Sequence, residues 1–111
     1  MEIKTRNVGK CKILDCKGPV TLGPATAALR QAIREAVQNG PSKTVLNLGD
    51  VPYIDSSGIG ELISGFVHAK NQGGNIVLLN LTKKINELLF IAKLLTVFDV
   101  YDDEEKALKG C

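Results

Sequence analysis

The segment VPYIDSSGIGELI, residues 51–63, places an acid, two hydroxyls and two glycines after an apolar run. Asp55 and Ser56 are residue types that cap helices, because their side-chain oxygens accept hydrogen bonds from free backbone N–H groups. A serine hydroxyl can also act as a nucleophile or carry a phosphate. The segment therefore predicts either a simple helix cap or a site of chemistry at Ser56.

Nucleophilic catalysis at Ser56 requires a neighbouring base, usually a histidine. The chain has one histidine, His68, which lies twelve residues further along the same predicted helix. At ~1.5 Å per residue, the two residues are about 18 Å apart, so His68 cannot be the base for Ser56. We expect His68 to be a surface residue of the helix. The sequence also has neither a G-x-S-x-G motif nor a phosphate-binding loop. We therefore predict that the protein is not an enzyme and has no cofactor.

Other residues that could do chemistry have plainer interpretations. Cys11 and Cys16 are five residues apart on a predicted strand, so their side chains point to opposite faces and cannot bind one metal ion. We expect them to be buried or idle thiols, and Cys111 to be reactive only through exposure. The spacing of the acidic residues matches the start of a helix better than an acid/base pair. These are Asp99, Asp102, Asp103, Glu104 and Glu105.

Composition predicts one soluble domain over residues 1–111, because 44% of the residues are hydrophobic and 23% are charged. No apolar stretch approaches the ~20 residues that cross a bilayer, and the first ten residues lack the core of a signal peptide. The net charge of +2 and the few aromatic residues do not indicate nucleic-acid binding. We expect a cytoplasmic protein without a nucleic-acid or membrane partner.

Hydrophobic periodicity predicts alternating strands and helices. The predicted strands are 2–6, 11–17, 44–48, 75–80 and 97–101, and the predicted helices follow Pro24, the DSSG run and Thr82, with a short one at 102–108. Turn residues at 39–41 and 71–74 end the first two helices. This order predicts an α/β fold: a mixed, mostly parallel sheet of four to five strands with an antiparallel first hairpin, and about four helices. The second helix should bury Ile59, Leu62, Ile63, Phe66 and Val67, and the third Ile85, Leu88, Leu89 and Ala92.

The start of the second helix could accommodate a phosphate on Ser56, because the first amides of a helix are free and its dipole favours negative charge. Asp55 adds a like charge, so the modification would disrupt a partner docked there. Gly58 and Gly60 should keep the entrance open to an approaching protein.

The segments VLNLGDVPYIDSSGIGELI, GGNIVLLNL and VFDVYDDEEKAL resemble the STAS domain family, and within it the stand-alone bacterial anti-sigma-factor antagonists. The resemblance implies a switch in which the first serine of the D-S-S-G run, Ser56, is phosphorylated by a partner serine kinase that is itself an anti-sigma factor. The dephosphorylated form would bind this kinase and free a sigma factor, and a metal-dependent serine phosphatase would reverse the modification.

Two segments depart from the family pattern. The loop Gly18-Pro19-Val20-Thr21 replaces an acidic G-E-L-D run, and Leu94-Leu95 stands where a glycine is common. We expect Thr21 to line the loop beside Ser56, Asp55 to flank the acceptor, and Ser57 and Gly58 to shape the helix entrance. The predicted state is a monomer or weak homodimer. Two alternatives remain: a structural subunit, either a stress-signalling scaffold or a soluble transporter subunit, and a small nucleotide-binding module.

Overall fold

A computed structural model describes residues 1–38 and 42–111, and these form five strands and four helices. The strands are β1 (Glu2–Val8), β2 (Cys11–Lys17), β3 (Lys43–Asp50), β4 (Asn75–Leu79) and β5 (Asp99–Tyr101). The helices are α1 (Pro24–Val37), α2 (Ser56–Asn71), α3 (Lys83–Ile91) and α4 (Glu104–Ala107). The predicted order of elements is confirmed, although β5 and α4 are shorter than predicted. The stop predicted at Asn39-Gly40-Pro41 lies outside the described residues.

The five strands form one sheet in the order β1-β2-β3-β4-β5. β1 and β2 pair antiparallel, with Glu2 opposite Lys17 and Val8 opposite Cys11, and the other pairs are parallel. Gly9 makes the tight turn between β1 and β2 at a φ of 58°, a conformation that glycine adopts without strain. The predicted mixed sheet with an antiparallel first hairpin is confirmed.

The two faces of the sheet are covered unequally. On one face, α1, α2 and α3 pack over alternate residues of β2, β3 and β4, including Leu14, Leu46 and Leu78. The opposite face, which we call the α4 face, consists of Ile13, Val45, Val77 and Leu79. Among the described residues, Ala107 of the short helix α4 is the buried helical residue that covers it. The α4 face therefore depends on a small element for its shielding from water.

The predicted buried stripe of α2 is partly wrong. Its buried residues are Gly58, Leu62, Gly65 and Ala69, whereas Ile63 and Val67 are 40% and 52% exposed. The buried glycines let α2 pack closely against Ile54, Ile33 and Ile76, so this face of the helix is the buried one and Ile63 and Val67 face outward. In the third helix Ile85 and Leu89 are buried as predicted, but Ala92 is exposed. Leu94 and Leu95, which depart from the family pattern, pack against the main core.

The prediction for two of the three cysteines is wrong. Cys11 and Cys111 form a disulfide, with their Cα atoms 5.6 Å apart. Their separation of 100 residues gives no local signal for the pairing. Cys16 is a buried free thiol, as expected, and burial raises its pKa to about 12. A thiol with so high a pKa is nearly all protonated at neutral pH and is therefore a poor nucleophile.

We predict that Gly65→Val lowers the free energy of unfolding by about 1–3 kcal/mol, because a side chain there overpacks the contact between α1 and α2. A Cβ on Gly65 would lie 3.0 Å from two side-chain carbons of Ile33. Gly60→Val in the same helix is the control, since a Cβ there meets no described atom within 4 Å. Urea denaturation of both variants is the measurement. Equal losses of stability would show that close packing at Gly65 is not what positions α2.

Candidate functional site

Asp55 organises the start of α2. It is the N-cap of the helix, and one carboxylate oxygen accepts hydrogen bonds from the Ser57 hydroxyl and from the Gly58 N–H, the latter at 2.9 Å. The other oxygen accepts a 2.9 Å bond from the backbone N–H of Leu22, in the loop between β2 and α1. One side chain therefore joins the helix entrance to a loop 33 residues earlier in the chain.

These hydrogen bonds also keep Asp55 ionised. The Ser57 hydroxyl lowers the pKa of the Asp55 carboxyl the most, followed by the backbone N–H groups of Gly58 and Leu22. Each of these donors binds the charged form of the carboxylate better than the neutral form. Asp55 thus contributes a permanent negative charge at the helix entrance at neutral pH.

The loop that carries Thr21 is held directly against the site. The Val20 N–H donates to the Tyr53 carbonyl at 2.9 Å, and the Asp55 N–H donates to the Val20 carbonyl at 3.1 Å. These bonds form a short parallel bridge between Val20 and Ile54. Thr21, the next residue, is half-buried. Thr21 therefore lies in the loop beside the helix entrance, and its contact with a partner stays a prediction.

Gly58 has a different role from the one predicted. It is buried, and a Cβ there would overlap Ile54 and the carbonyl oxygen of Val20. Its small size lets α2 fit against the loop, so the expectation that it clears space for an approaching protein is wrong. Gly60 is exposed and does leave the surface open.

The two serines of the D-S-S-G run differ in their contacts. Ser57 is half-buried, and its hydroxyl is engaged by Asp55. Ser56, the first residue of α2, is exposed, and within residues 1–38 and 42–111 its hydroxyl makes no hydrogen bond. A modifying group can therefore reach Ser56 without breaking an existing contact.

The helix amides are less available than the sequence suggested. The Gly58 N–H binds the Asp55 carboxylate, and the Ile59 N–H binds the Asp55 carbonyl at 3.0 Å. Asp55 already compensates the positive end of the helix dipole. A phosphate on Ser56 would thus meet a neighbouring carboxylate more than a set of unused donors.

Sequence reasoning missed two apolar residues beside the site. Leu22 is 80% exposed and Tyr53 is 39% exposed, and both belong to the backbone segments that bind each other around Asp55. The ammonium of Lys84 lies 5.0 Å from the centre of the Tyr53 ring. No local pattern marks Leu22, because its link to Asp55 uses its backbone and depends on how the loop folds back.

Other chemistry at this site has little support in the geometry. His68 is half-buried in the last turn of α2, far along the helix from Ser56. A cavity of about 820 Å³ lies at the carboxyl ends of β3, β4 and β5, lined by Asn47, Asn80 and Tyr101 among others, and does not include Ser56. In the described part of the chain, no three potential ligands among His, Cys, Asp and Glu are grouped to hold a metal ion. Nor does any described helix have the length and apolar character needed to cross a membrane.

We predict that Asp55→Asn lowers the melting temperature at pH 7 and that this loss shrinks below about pH 4. The pKa of Asp55 is lower in the folded state than in the unfolded state, so its stabilisation is present above the unfolded pKa and is lost as the pH falls. An asparagine offers one acceptor oxygen, and its amide N–H₂ would face the Leu22 N–H. Asp99→Asn, at an exposed residue of β5, is the control. An Asp55→Asn loss that is constant from pH 7 to pH 3 would contradict the role of the charge.

A protein-family model and several known proteins match this chain. The STAS domain model matches residues 2–107. The chain is 27% identical over 81 residues to an anti-sigma F factor antagonist of Paenibacillus polymyxa, covering 72% of this chain and 69% of that protein. It is 32% identical over 72 residues to the anti-sigma-B factor antagonist of Bacillus subtilis (strain 168), covering 65% of each.

Solved structures share the fold. An anti-sigma factor antagonist from Mycobacterium paratuberculosis superposes with a TM-score of 0.83 at 20% identity, covering 96% of this chain and 90% of the other. The Bacillus cell fate determinant SpoIIAA in its phosphorylated form superposes with a TM-score of 0.75 at 19% identity, covering 96% of each chain. With the family model matching nearly its whole length, the chain belongs to the STAS domain family.

Proposed function

We propose that the protein is an anti-sigma-factor antagonist, a protein-binding switch controlled by phosphorylation of Ser56. The unmodified form binds an anti-sigma factor that is also a serine kinase, and the phosphorylated form releases it. A metal-dependent serine phosphatase restores the binding form. The antagonist role is supported by the two curated relatives, which carry that function in their names.

The observation that carries the proposal is the contrast between the two adjacent serines. Ser56 is exposed, and its hydroxyl has no hydrogen-bond partner among the described residues, whereas the Ser57 hydroxyl is bound to Asp55. A kinase must align the acceptor hydroxyl with the phosphate of its nucleotide, and an unengaged hydroxyl is available for this without a cost in lost contacts. Ser56 therefore suits the acceptor role, and Ser57 suits a role in holding Asp55 in place.

Charge provides the switch. Asp55 is ionised, and a phosphate adds about −1.5 to −2 charges on the next residue at neutral pH. The exposed side chains of Leu22 and Tyr53 offer apolar contact area beside this point. A partner that covers these side chains would have to remove water from two adjacent anions, and the desolvation cost and repulsion would weaken the complex.

The fold should tolerate the modification. The helix entrance is held by the bonds of Asp55 to Gly58 and Leu22 and by the bridge between Val20 and Ile54. Ser56 contributes to none of these contacts. Phosphorylation would therefore change what the surface binds and leave the protein folded.

We predict that a kinase of the anti-sigma type, encoded beside this protein, phosphorylates Ser56 and not Ser57. The purified chain, Ser56→Ala and Ser57→Ala would be incubated with the kinase and ATP, and the modified peptide located by mass spectrometry. Ser56→Ala should take up no phosphate, whereas Ser57→Ala should still be modified at Ser56. Phosphate on Ser57 in the unaltered chain would overturn the assignment.

We also predict that phosphorylation lowers the affinity for the kinase by about 5- to 150-fold, the usual range for such coupling. Calorimetric titration would compare the unmodified, phosphorylated, Ser56→Asp and Ser56→Ala forms. Ser56→Asp should weaken binding less than phosphate does, because it carries less charge, and Ser56→Ala should bind like the unmodified form.

The matched control for folding is thermal unfolding of all four forms, since Ser56→Ala should change stability by no more than ~1 kcal/mol. Equal affinity of all four folded forms would leave a docking subunit, such as a scaffold component, as the function. Size-exclusion chromatography would then distinguish a large assembly from a monomer or weak dimer.

A further inference from the structure

The disulfide between Cys11 and Cys111 joins the first residue of β2 to the last residue of the sequence. Cys11 is 5% exposed, whereas Cys111 is half-buried. The bond links residues 100 positions apart in the sequence, and Cys111 follows α4, the helix that shields the α4 face. Ser56 lies beyond the opposite end of β2, a strand of seven residues that spans roughly 20 Å. The disulfide is therefore separate from the phosphorylation site.

The segment that carries Cys111 is docked by contacts that do not need the disulfide. The ammonium of Lys43 donates to the carbonyls of Ala107 and Lys109, each at 2.9 Å. Glu104 forms an ion pair with Arg6 at 2.6 Å, and Ala107 is buried against the α4 face. None of these contacts uses a cysteine sulfur, so we expect them to hold the two thiols close together after the disulfide is reduced.

Gly9 gives independent evidence that this position of Cys111 is built into the fold. A Cβ on Gly9 would overlap the carbonyl oxygen of Cys111. The turn between β1 and β2 therefore accepts the backbone of residue 111 because position 9 has no side chain. Docking by Lys43 and this fit at Gly9 together raise the effective concentration of one thiol near the other, which favours rapid closure.

We propose that Cys11 and Cys111 are a reversible redox site, which small disulfides close and small thiols open, and which when closed locks α4 over the α4 face. This goes beyond the phosphorylation switch and does not depend on it. The reactants are low-molecular-weight thiols and their disulfides, of the glutathione class.

Closure proceeds by two thiol–disulfide exchanges with a small disulfide RSSR. The thiolate of Cys111, the more exposed of the pair, attacks one sulfur of RSSR, forms a mixed disulfide and releases RS⁻. The thiolate of Cys11 then attacks the Cys111 sulfur and releases the second RS⁻. The two protons of the protein thiols end on two RSH molecules, so the protein loses two electrons and RSSR gains two. Opening is the reverse.

The test is a redox titration of the full chain in buffers of varied reduced-to-oxidised glutathione ratio, approached from both directions. Thiols are counted after denaturation by alkylation with a maleimide of high mass. We expect one alkylated cysteine, Cys16, in the closed form and three in the open form, with the same midpoint from either side. Cys16→Ala should keep this transition, and Cys111→Ser should abolish it. A bond that stays closed at the most reducing ratio, or that forms only between two molecules, would overturn the proposal.

Thermal unfolding tests whether the closed disulfide holds α4 in place. Because the disulfide closes a loop of about 100 residues, the closed form should melt at least about 10 °C above the open form. Cys111→Ser should melt at one temperature in both buffers. Equal melting temperatures of the closed and open forms of the unaltered chain would contradict the lock.

A pair of lysine variants tests the docking argument. Lys43→Met removes both hydrogen bonds to the carbonyls of Ala107 and Lys109. Half-closure of the disulfide should then require a glutathione ratio about 3- to 10-fold more oxidising. Lys109→Met is the matched control, because the side chain of Lys109 is exposed and only its carbonyl is used. If both variants keep the midpoint of the unaltered chain, docking by Lys43 does not hold the thiols together and this part of the proposal fails.

Discussion

The carboxylate of Asp55 is the contact on which the candidate site depends. It caps α2 through the Gly58 N–H and binds the Leu22 N–H of a loop that is distant in sequence. Without this carboxylate, two backbone donors would lose their partner, and the loop and the helix entrance would no longer be fixed relative to each other. The same contacts hold the acid in its charged form. The position of Ser56 and the charge beside it therefore have one physical origin.

Two glycines allow α2 to pack closely against its neighbours. Gly58 lets the first turn fit against Val20 and Ile54, and Gly65 lets the middle of the helix approach Ile33. The larger apolar residues Ile63 and Val67 are turned toward the surface as a result. Close packing at Gly58 and Gly65 thus determines which apolar side chains of α2 are exposed.

The opposite end of the sheet is organised by different contacts. Among the described residues, one short helix covers the α4 face, and it is held by Lys43, by the pair of Arg6 with Glu104 and by the disulfide. A helix of four residues has little stability of its own, so these long-range contacts position it. The molecule therefore has the proposed acceptor serine and a cysteine pair at opposite ends of β2, each built from contacts that the other does not use.

The sequence by itself determined the order of strands and helices, the mixed sheet, and the identity of Asp55, Ser56 and Ser57 as the residues at the start of α2. These features follow from hydrophobic periodicity and capping chemistry, which act over a few neighbouring residues. Only the tertiary structure decided that Gly58 packs instead of clearing space and that Leu22 joins the site. It also decided the pairing of Cys11 with Cys111. Each of these depends on contacts between segments far apart in the chain or on the orientation of a helix against its neighbours, and local periodicity carries no information about either.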